Sequence, residues 1–173
     1  MGQEGFILKI KNKLLNSIIP LHIDVYNDTR GFFSEIYQKK KYYNYGIKDY
    51  FVQDNHSRSK KNILRGLHYQ IKKPQSQLVT ILNGKVFYVC VDLRINSPNF
   101  KKHCTIILEE KKINQLYVSK GFASGFFVLS NYADVHYKVS EEYDKEDEAG
   151  INWADEELSI NWPNLYPILN ERD

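Results

Sequence analysis

The stretch Gln77-Leu78-Val79-Thr80-Ile81-Leu82-Asn83-Gly84-Lys85-Val86-Phe87-Tyr88-Val89-Cys90-Val91 decides the fold class. Two runs of β-branched, aromatic and leucine residues flank Asn83-Gly84, a dipeptide that tolerates positive φ. It is the strongest short-range hairpin signal available, so a tight turn between two strands is expected there. Outward from this stretch, runs of the same character recur at 50–56, 62–70, 104–108, 115–118, 125–129 and 133–139. Asp28-Thr29-Arg30-Gly31 reads as a turn entering a strand at 32–37, and residues 39–45 read as a short helix ended by Gly46. No internal repeat or low-complexity linker interrupts the series. Many short strands at this spacing predict a single all-β domain over residues 1–173, a sandwich or barrel of the jelly-roll type with short peripheral helices.

Composition agrees with that class. A 173-residue chain suits one domain with a sizeable core. Aromatic residues reach 14%, with 13 Tyr and 9 Phe, a bias suited to half-buried pleated surfaces. The longest apolar run, Val86 to Val91, falls far short of the roughly 20 residues of a spanning helix, so no membrane partner is expected. Lys9, Lys11 and Lys13 interrupt the N-terminal apolar stretch, against a secretory signal. The net charge of +3 is too small an excess to point to nucleic acid, although it favours a small anionic ligand. Cys90 and Cys104 form neither a C-x-x-C nor a zinc spacing, and Cys90 reads as an interior thiol; a reducing cytoplasm is the expected compartment.

Among the five histidines, His68 stands out by context. In Asn62-Ile63-Leu64-Arg65-Gly66-Leu67-His68-Tyr69-Gln70, simple alternation puts Leu64, Gly66, His68 and Gln70 on one face. A pocket floor with room left by the glycine is one reading; a core histidine bonded to a backbone carbonyl is the other. No second His or carboxylate stands at a metal-ligand offset, and no metal is expected.

An ordered set of motifs resembles the dTDP-4-dehydrorhamnose 3,5-epimerase family. It begins with Asp28-x-Arg30-Gly31-Phe32-Phe33-x-Glu35, Val52-Gln53-Asp54-Asn55-His56-Ser57 and the 62–70 segment. It continues with Val91-Asp92-Leu93-Arg94-x-x-Ser97-Pro98-x-Phe100, Gln115 to Ala123, Tyr137-Lys138 with Tyr143, and Ile151-Asn152-Trp153 through Ile160-Asn161-Trp162-Pro163. The likeness runs from about Pro20 to the end. It implies a cupin-type jelly-roll barrel, a homodimer exchanging N-terminal strands, and catalysis without metal or cofactor. The implied substrate is a nucleotide-diphosphate-linked 4-keto sugar, a 6-deoxyhexose or a heptose, epimerised at C3, C5 or both. A non-catalytic sugar-nucleotide-binding cupin and a 3,4-ketoisomerase are the alternatives.

The implied chemistry is simple. A C4 ketone acidifies the protons on C3 and C5, so a base on one face and an acid on the other invert a carbon through an enolate. Residue by residue, the resemblance makes His68 the base, Tyr137 the acid and Asp173 the carboxylate that orients the imidazole. Arg30 and Arg65 match phosphate-binding positions. Glu35, Gln53, Asn55, Glu148 and Arg172 match other substrate contacts. Since alternation sets Arg65 opposite His68, Gly66 is expected to kink the strand so that both reach one ligand.

Three positions depart from the pattern. Ser124 stands in Gly121-Phe122-Ala123-Ser124-Gly125-Phe126 where the family has His, Gln77 stands where it has Lys before Leu-Val, and Tyr88 stands where it has Asp. Lys73 reads as a solvated loop residue rather than a surrogate for the missing lysine. Gln77 and Ser124 are expected to contact substrate, in a pocket adapted to its own keto sugar.

Overall fold

The computed structural model describes residues 9–10, 15–112 and 114–173; most of the lysine-interrupted N-terminal stretch lies outside them. In chain order the elements are β1 (Lys9–Ile10), β2 (Ile18–His22), β3 (Tyr26–Asp28), β4 (Gly31–Phe33), α1 (Lys39–Asn44), β5 (Gln53–Lys60), β6 (Leu64–Gln70), β7 (Gln77–Asn83), β8 (Lys85–Asp92), β9 (His103–Glu109), β10 (Gln115–Val118), β11 (Phe122–Val128), β12 (Tyr132–Val139) and β13 (Glu148–Gly150). A six-stranded sheet runs β1-β2-β10-β7-β12-β5, a five-stranded sheet runs β13-β6-β11-β8-β9, and β3 and β4 form a separate ribbon. Every strand pairing within them is antiparallel. The expected jelly roll is present.

Asn83-Gly84, however, is not the turn of a hairpin. β7 pairs with β10 and β12, whereas β8 pairs with β11 and β9, so the dipeptide is a corner where the chain changes sheets. Gly84 supplies the positive φ of 87° that the corner needs, its amide donates to Glu110 Oε2, and the Lys85 amide donates to Ser130 Oγ. Val79 and Ile81 of one sheet meet Val86 and Tyr88 of the other in one core cluster, as the inner faces of two packed sheets do.

The segment 32–37 is likewise strand only as far as Phe33. Gly31–Phe33 folds back on Tyr26–Asp28 across the expected turn, and Phe32 and Phe33 are 71% and 68% exposed. The expected helix forms as α1 and ends where Gly46 adopts a φ of 89°. Its Tyr42 is fully buried, donating its hydroxyl to Gln115 Oε1 at 2.6 Å. The strand expected at 50–56 lies further along, at Gln53–Lys60, and that expected at 125–129 starts earlier, at Phe122. β2 and β13 carry too weak a pattern to be read in advance.

Three apolar clusters hold the architecture. One fills the space between the sheets and contains Cys90, the interior thiol that its hydrophobic run predicts. A second, with Leu64, Leu67 and Phe127, lies under the C-terminal segment, where Trp162 is buried and donates its indole N–H to the Trp153 carbonyl at 2.7 Å. The third joins α1 to the six-stranded sheet through Tyr42, Leu21 and Leu78. The C-terminal residues are thereby anchored over the five-stranded sheet, and their last turn reaches the mouth of the barrel.

Candidate active site

Between the sheets opens a cavity of about 350 Å³. On β6 its wall depends on Gly66, whose φ of 118° is open to glycine and strained for other residues. A Cβ at Gly66 would lie 2.6 Å from Gly125 Cα, so the two strands touch backbone to backbone there. The register of β6 against β11 shifts between Ser124 and Phe126, opposite this point. This is the kink expected at Gly66. Arg65 and His68 consequently line the same cavity, three residues apart. The same kink overturns one placement made by simple alternation, because Leu64 packs with Leu67 in the outer cluster and not on the face of His68.

His68 Nε2 lies 2.9 Å from the Arg172 carbonyl oxygen and 3.4 Å from Asp173 Oδ1. The Asp173 side chain is 2% exposed and is fixed by two amides: Gly66 N–H donates to Oδ1 at 2.9 Å and Asn170 N–H to Oδ2 at 3.0 Å. A ring nitrogen that donates to the C-terminal turn leaves Nδ1 with a lone pair, and Nδ1 bonds to no described residue. Both readings of His68 thus hold at once: it bonds a backbone carbonyl, and it faces a cavity.

Tyr137 comes from the other sheet, where β12 sets it between Asn55 of β5 and Val79 of β7. Burial raises its pKa above the ordinary phenol value, opposed by the nearby Arg65 cation, so the group stays protonated at neutral pH. Its hydroxyl has no hydrogen-bond partner among the described residues and opens on the cavity. Arg65 donates Nε–H to Ser59 Oγ at 2.9 Å, which leaves its terminal nitrogens for an anion.

The rest of the rim is a connected polar frame. Gln53 donates to Asn55 Oδ1 at 2.8 Å and accepts the Tyr143 amide at 3.0 Å. Glu148 accepts from the Tyr143 hydroxyl at 3.0 Å and from Arg172 Nη1 at 3.1 Å. Gln70, behind this frame, accepts the Asp144 amide at 2.7 Å and so fixes the loop that carries Tyr143. Tyr143, Ser57 and Asn170 also line the cavity. Ser57 is legible as an inward position two residues past Asn55, whereas Tyr143 and Asn170 lie in loops without periodicity.

The three departures from the motif pattern meet in the floor. Tyr88 Oη is 3.2 Å from Ser124 Oγ and 3.4 Å from Gln77 Oε1, and Ser124 Oγ is 3.3 Å from Gln77 Oε1. Lys73 is exposed and lies outside the cavity lining, a solvated loop residue as its position suggests. Two expected contacts are not gathered here. Arg30 sits at the tip of the β3–β4 ribbon, paired with Asp28 at 2.6 Å, and Glu35 pairs with Lys41 at 2.8 Å. Neither lines the cavity of its own chain.

An imidazole and a phenol on facing sheets, beside an arginine with unengaged terminal nitrogens, fit the chemistry that the motifs imply, and comparison with known proteins settles the family. The profile described as dTDP-4-dehydrorhamnose 3,5-epimerase matches residues 13–173. The chain belongs to the dTDP-4-dehydrorhamnose 3,5-epimerase family. Within that family it is 44% identical over 151 residues to the enzyme of that name from Shigella flexneri, covering 86% of this chain and 83% of the relative. The Methanothermobacter thermautotrophicus enzyme is 40% identical, with 95% and 90% covered. A Legionella pneumophila epimerase crystallised with dTDP-4-keto-L-rhamnose superposes with a TM-score of 0.92 at 43% identity, over 96% of this chain and 90% of that one. A 3'-monoepimerase from Streptomyces bikiniensis in complex with dTDP-quinovose is more distant, at a TM-score of 0.83 and 26% identity over 91% and 81%. Family membership makes the chain an isomerase-class epimerase of nucleotide-linked 4-keto sugars rather than a binding cupin or a ketoisomerase.

Proposed function

We propose that the cavity epimerises a dTDP-linked 4-keto-6-deoxy sugar, with His68 as base, Tyr137 as acid and Asp173 orienting the base. The observation that carries this reading is the placement of His68 and Tyr137 on the two facing sheets, lining one cavity. His68 Nδ1 takes a proton from the carbon beside the C4 ketone, and the C–H electron pair moves into the enolate. Tyr137 then gives its proton to the opposite face of that carbon, inverting it. The resulting phenolate is stabilised by the Arg65 cation, and solvent returns the proton from the imidazolium. Arg65 holds the diphosphate, a role suited to unengaged guanidinium nitrogens. Gln53, Asn55, Glu148 and Arg172 frame the mouth against the sugar nucleotide.

Arg30 and Glu35 serve the site of a second copy in this reading. The ribbon that bears Arg30 exposes Phe32 and Phe33 to solvent, an apolar pair that a partner subunit would cover. The working form is a homodimer.

The test is incubation with dTDP-4-keto-6-deoxyglucose in heavy water, followed by NMR. Deuterium at C3, C5 or both, with inverted stereochemistry, is expected. His68→Asn abolishes the labelling while dTDP still binds. A wild-type protein that incorporates no label, even at stoichiometric dose over hours, overturns the reading.

A further inference from the structure

Tyr88 is 3% exposed in the core between the sheets, with its ring stacked on Phe126 and its hydroxyl at the cavity floor. Its hydroxyl lies 3.2 Å from Ser124 Oγ and 3.4 Å from Gln77 Oε1, and Ser124 Oγ lies 3.3 Å from the same Gln77 oxygen. A carboxamide oxygen can only accept, so Ser124 gives its proton to Oε1, and Tyr88 gives its single proton to Ser124 Oγ, the nearer of its two acceptors. The other end of the same carboxamide, Nε2, bonds to no described residue, and Gln77 lines the cavity. Its two hydrogens are therefore offered to whatever the cavity holds. Ser124 lies directly opposite His68 in the β6–β11 ladder, so this cluster borders the base itself.

We propose that Tyr88, Ser124 and Gln77 form an uncharged donor chain that ends in the Gln77 N–H pair and stabilises the enolate oxygen, with Tyr88 as the positioning residue that holds the chain in its productive orientation. This rests on the epimerase reading above. When His68 takes the C–H proton, the electron pair of that bond moves toward the C4 oxygen, and the carboxamide hydrogens meet the charge that develops there. Hydrogen bonds accepted at the carboxamide oxygen polarise the group and strengthen its N–H donors. Burial raises the pKa of the Tyr88 phenol, so it remains a donor throughout the working range of pH. No side chain of the chain carries charge; orientation does the work that a cation would otherwise do.

The experiment compares wild type, Gln77→Glu and Tyr88→Phe at pH 8 in heavy water with dTDP-4-keto-6-deoxyglucose. Exchange is followed by NMR, and dTDP affinity is measured in parallel by calorimetry. Glu keeps the shape of Gln77 and the acceptor that Ser124 donates to, but has no N–H. Its expected exchange rate is about 10²-fold or more below wild type, the usual cost of losing an oxyanion donor. Tyr88→Phe should lower kcat about tenfold with KM within about twofold, the signature of a lost neutral hydrogen bond felt only in the transition state. Both variants should bind dTDP within about twofold of wild type. Exchange by Gln77→Glu within about threefold of an active wild type overturns the donor chain and leaves the epimerase reading standing. Lost exchange accompanied by lost dTDP affinity overturns it as well, because that is a collapsed cavity. An inactive wild type overturns the underlying reading instead. Should Tyr88→Phe not fold, the isosteric Gln77→Glu change decides alone.

Discussion

Asp173, the last residue of the sequence, lies 3.4 Å from His68 Nε2 and accepts the Gly66 amide at 2.9 Å through the same oxygen. One carboxylate thus lies against both the imidazole and the kink that brings Arg65 and His68 to one cavity. Its own geometry is secured by the Asn170 amide and by the tryptophan-anchored segment before it. Asp173→Asn keeps the shape and the Gly66 contact but withdraws the charge facing the imidazolium. The expected result is a fall in kcat of about 10²-fold or more, with dTDP affinity unchanged, measured by steady-state kinetics and calorimetry.

Tyr137→Phe separates the two halves of the reaction. The base is intact, so proton abstraction continues and deuterium still enters from the face of His68. Delivery to the opposite face is lost, and inversion should slow by about 10²–10⁴-fold. NMR of the recovered sugar nucleotide distinguishes labelled, uninverted starting material from epimerised product.

The pH profile follows from the direction of the Tyr137 shift. An acid must be protonated to act, so its activity is lost as pH rises through its pKa. Burial places that pKa above the ordinary phenol value of 10.0. No alkaline decline attributable to Tyr137 should therefore appear below pH 10, and kcat measured across pH 6–10 checks this. Arg65→Met removes the opposing cation and should move any such limb further toward high pH.

Much of this site was legible in the sequence, and the failures share a cause. His68, Tyr137, Arg65, Gln53 and Asn55 sit in the motifs that carry the family resemblance, and all five line the cavity. The preference of Asn83-Gly84 for a tight turn is local, whereas placing β7 and β8 each between two other partners is a property of the whole molecule. Leu64 escapes the alternating pattern because strict alternation fails at a backbone contact such as Gly66 against Gly125. Tyr143 and Asn170 come from loops, where no period marks an inward side chain. The meeting of Tyr88, Ser124 and Gln77 joins three strands, β8, β11 and β7, and no window of sequence contains it.

Asp92-Leu93-Arg94-x-x-Ser97 turns out to be a structural corner. The Asp92 side chain is fully buried, and its oxygens accept from Arg94 at 2.9 and 2.6 Å and from Ser97 at 2.7 Å. Burial alone would raise its pKa, but the Arg94 and Ser97 hydrogen bonds outweigh this and hold it below the ordinary value. A depressed folded pKa contributes stability above the unfolded pKa, lost as pH falls through the folded one. Asp92→Ala should destabilise the fold by about 2–3 kcal/mol at pH 7, lowering Tm by roughly 5–10 °C, with a smaller deficit at pH 3. Thermal unfolding at the two pH values measures both.

Arg30 offers the sharpest test of the dimer. In its own chain it is bound to Asp28 at the tip of an exposed ribbon and contributes nothing to the cavity. If the ribbon reaches into the neighbouring subunit, Arg30→Ala and His68→Asn are each nearly inactive as homodimers, yet they complement when mixed. In a heterodimer the Arg30→Ala subunit retains His68 and receives an intact Arg30 from its partner. The other site carries both defects. Random exchange makes half the dimers mixed, each with one working site of two, so about one quarter of wild-type activity should return after co-refolding. Were Arg30 to act within its own chain, every site would lack one of the two residues and mixing would restore nothing.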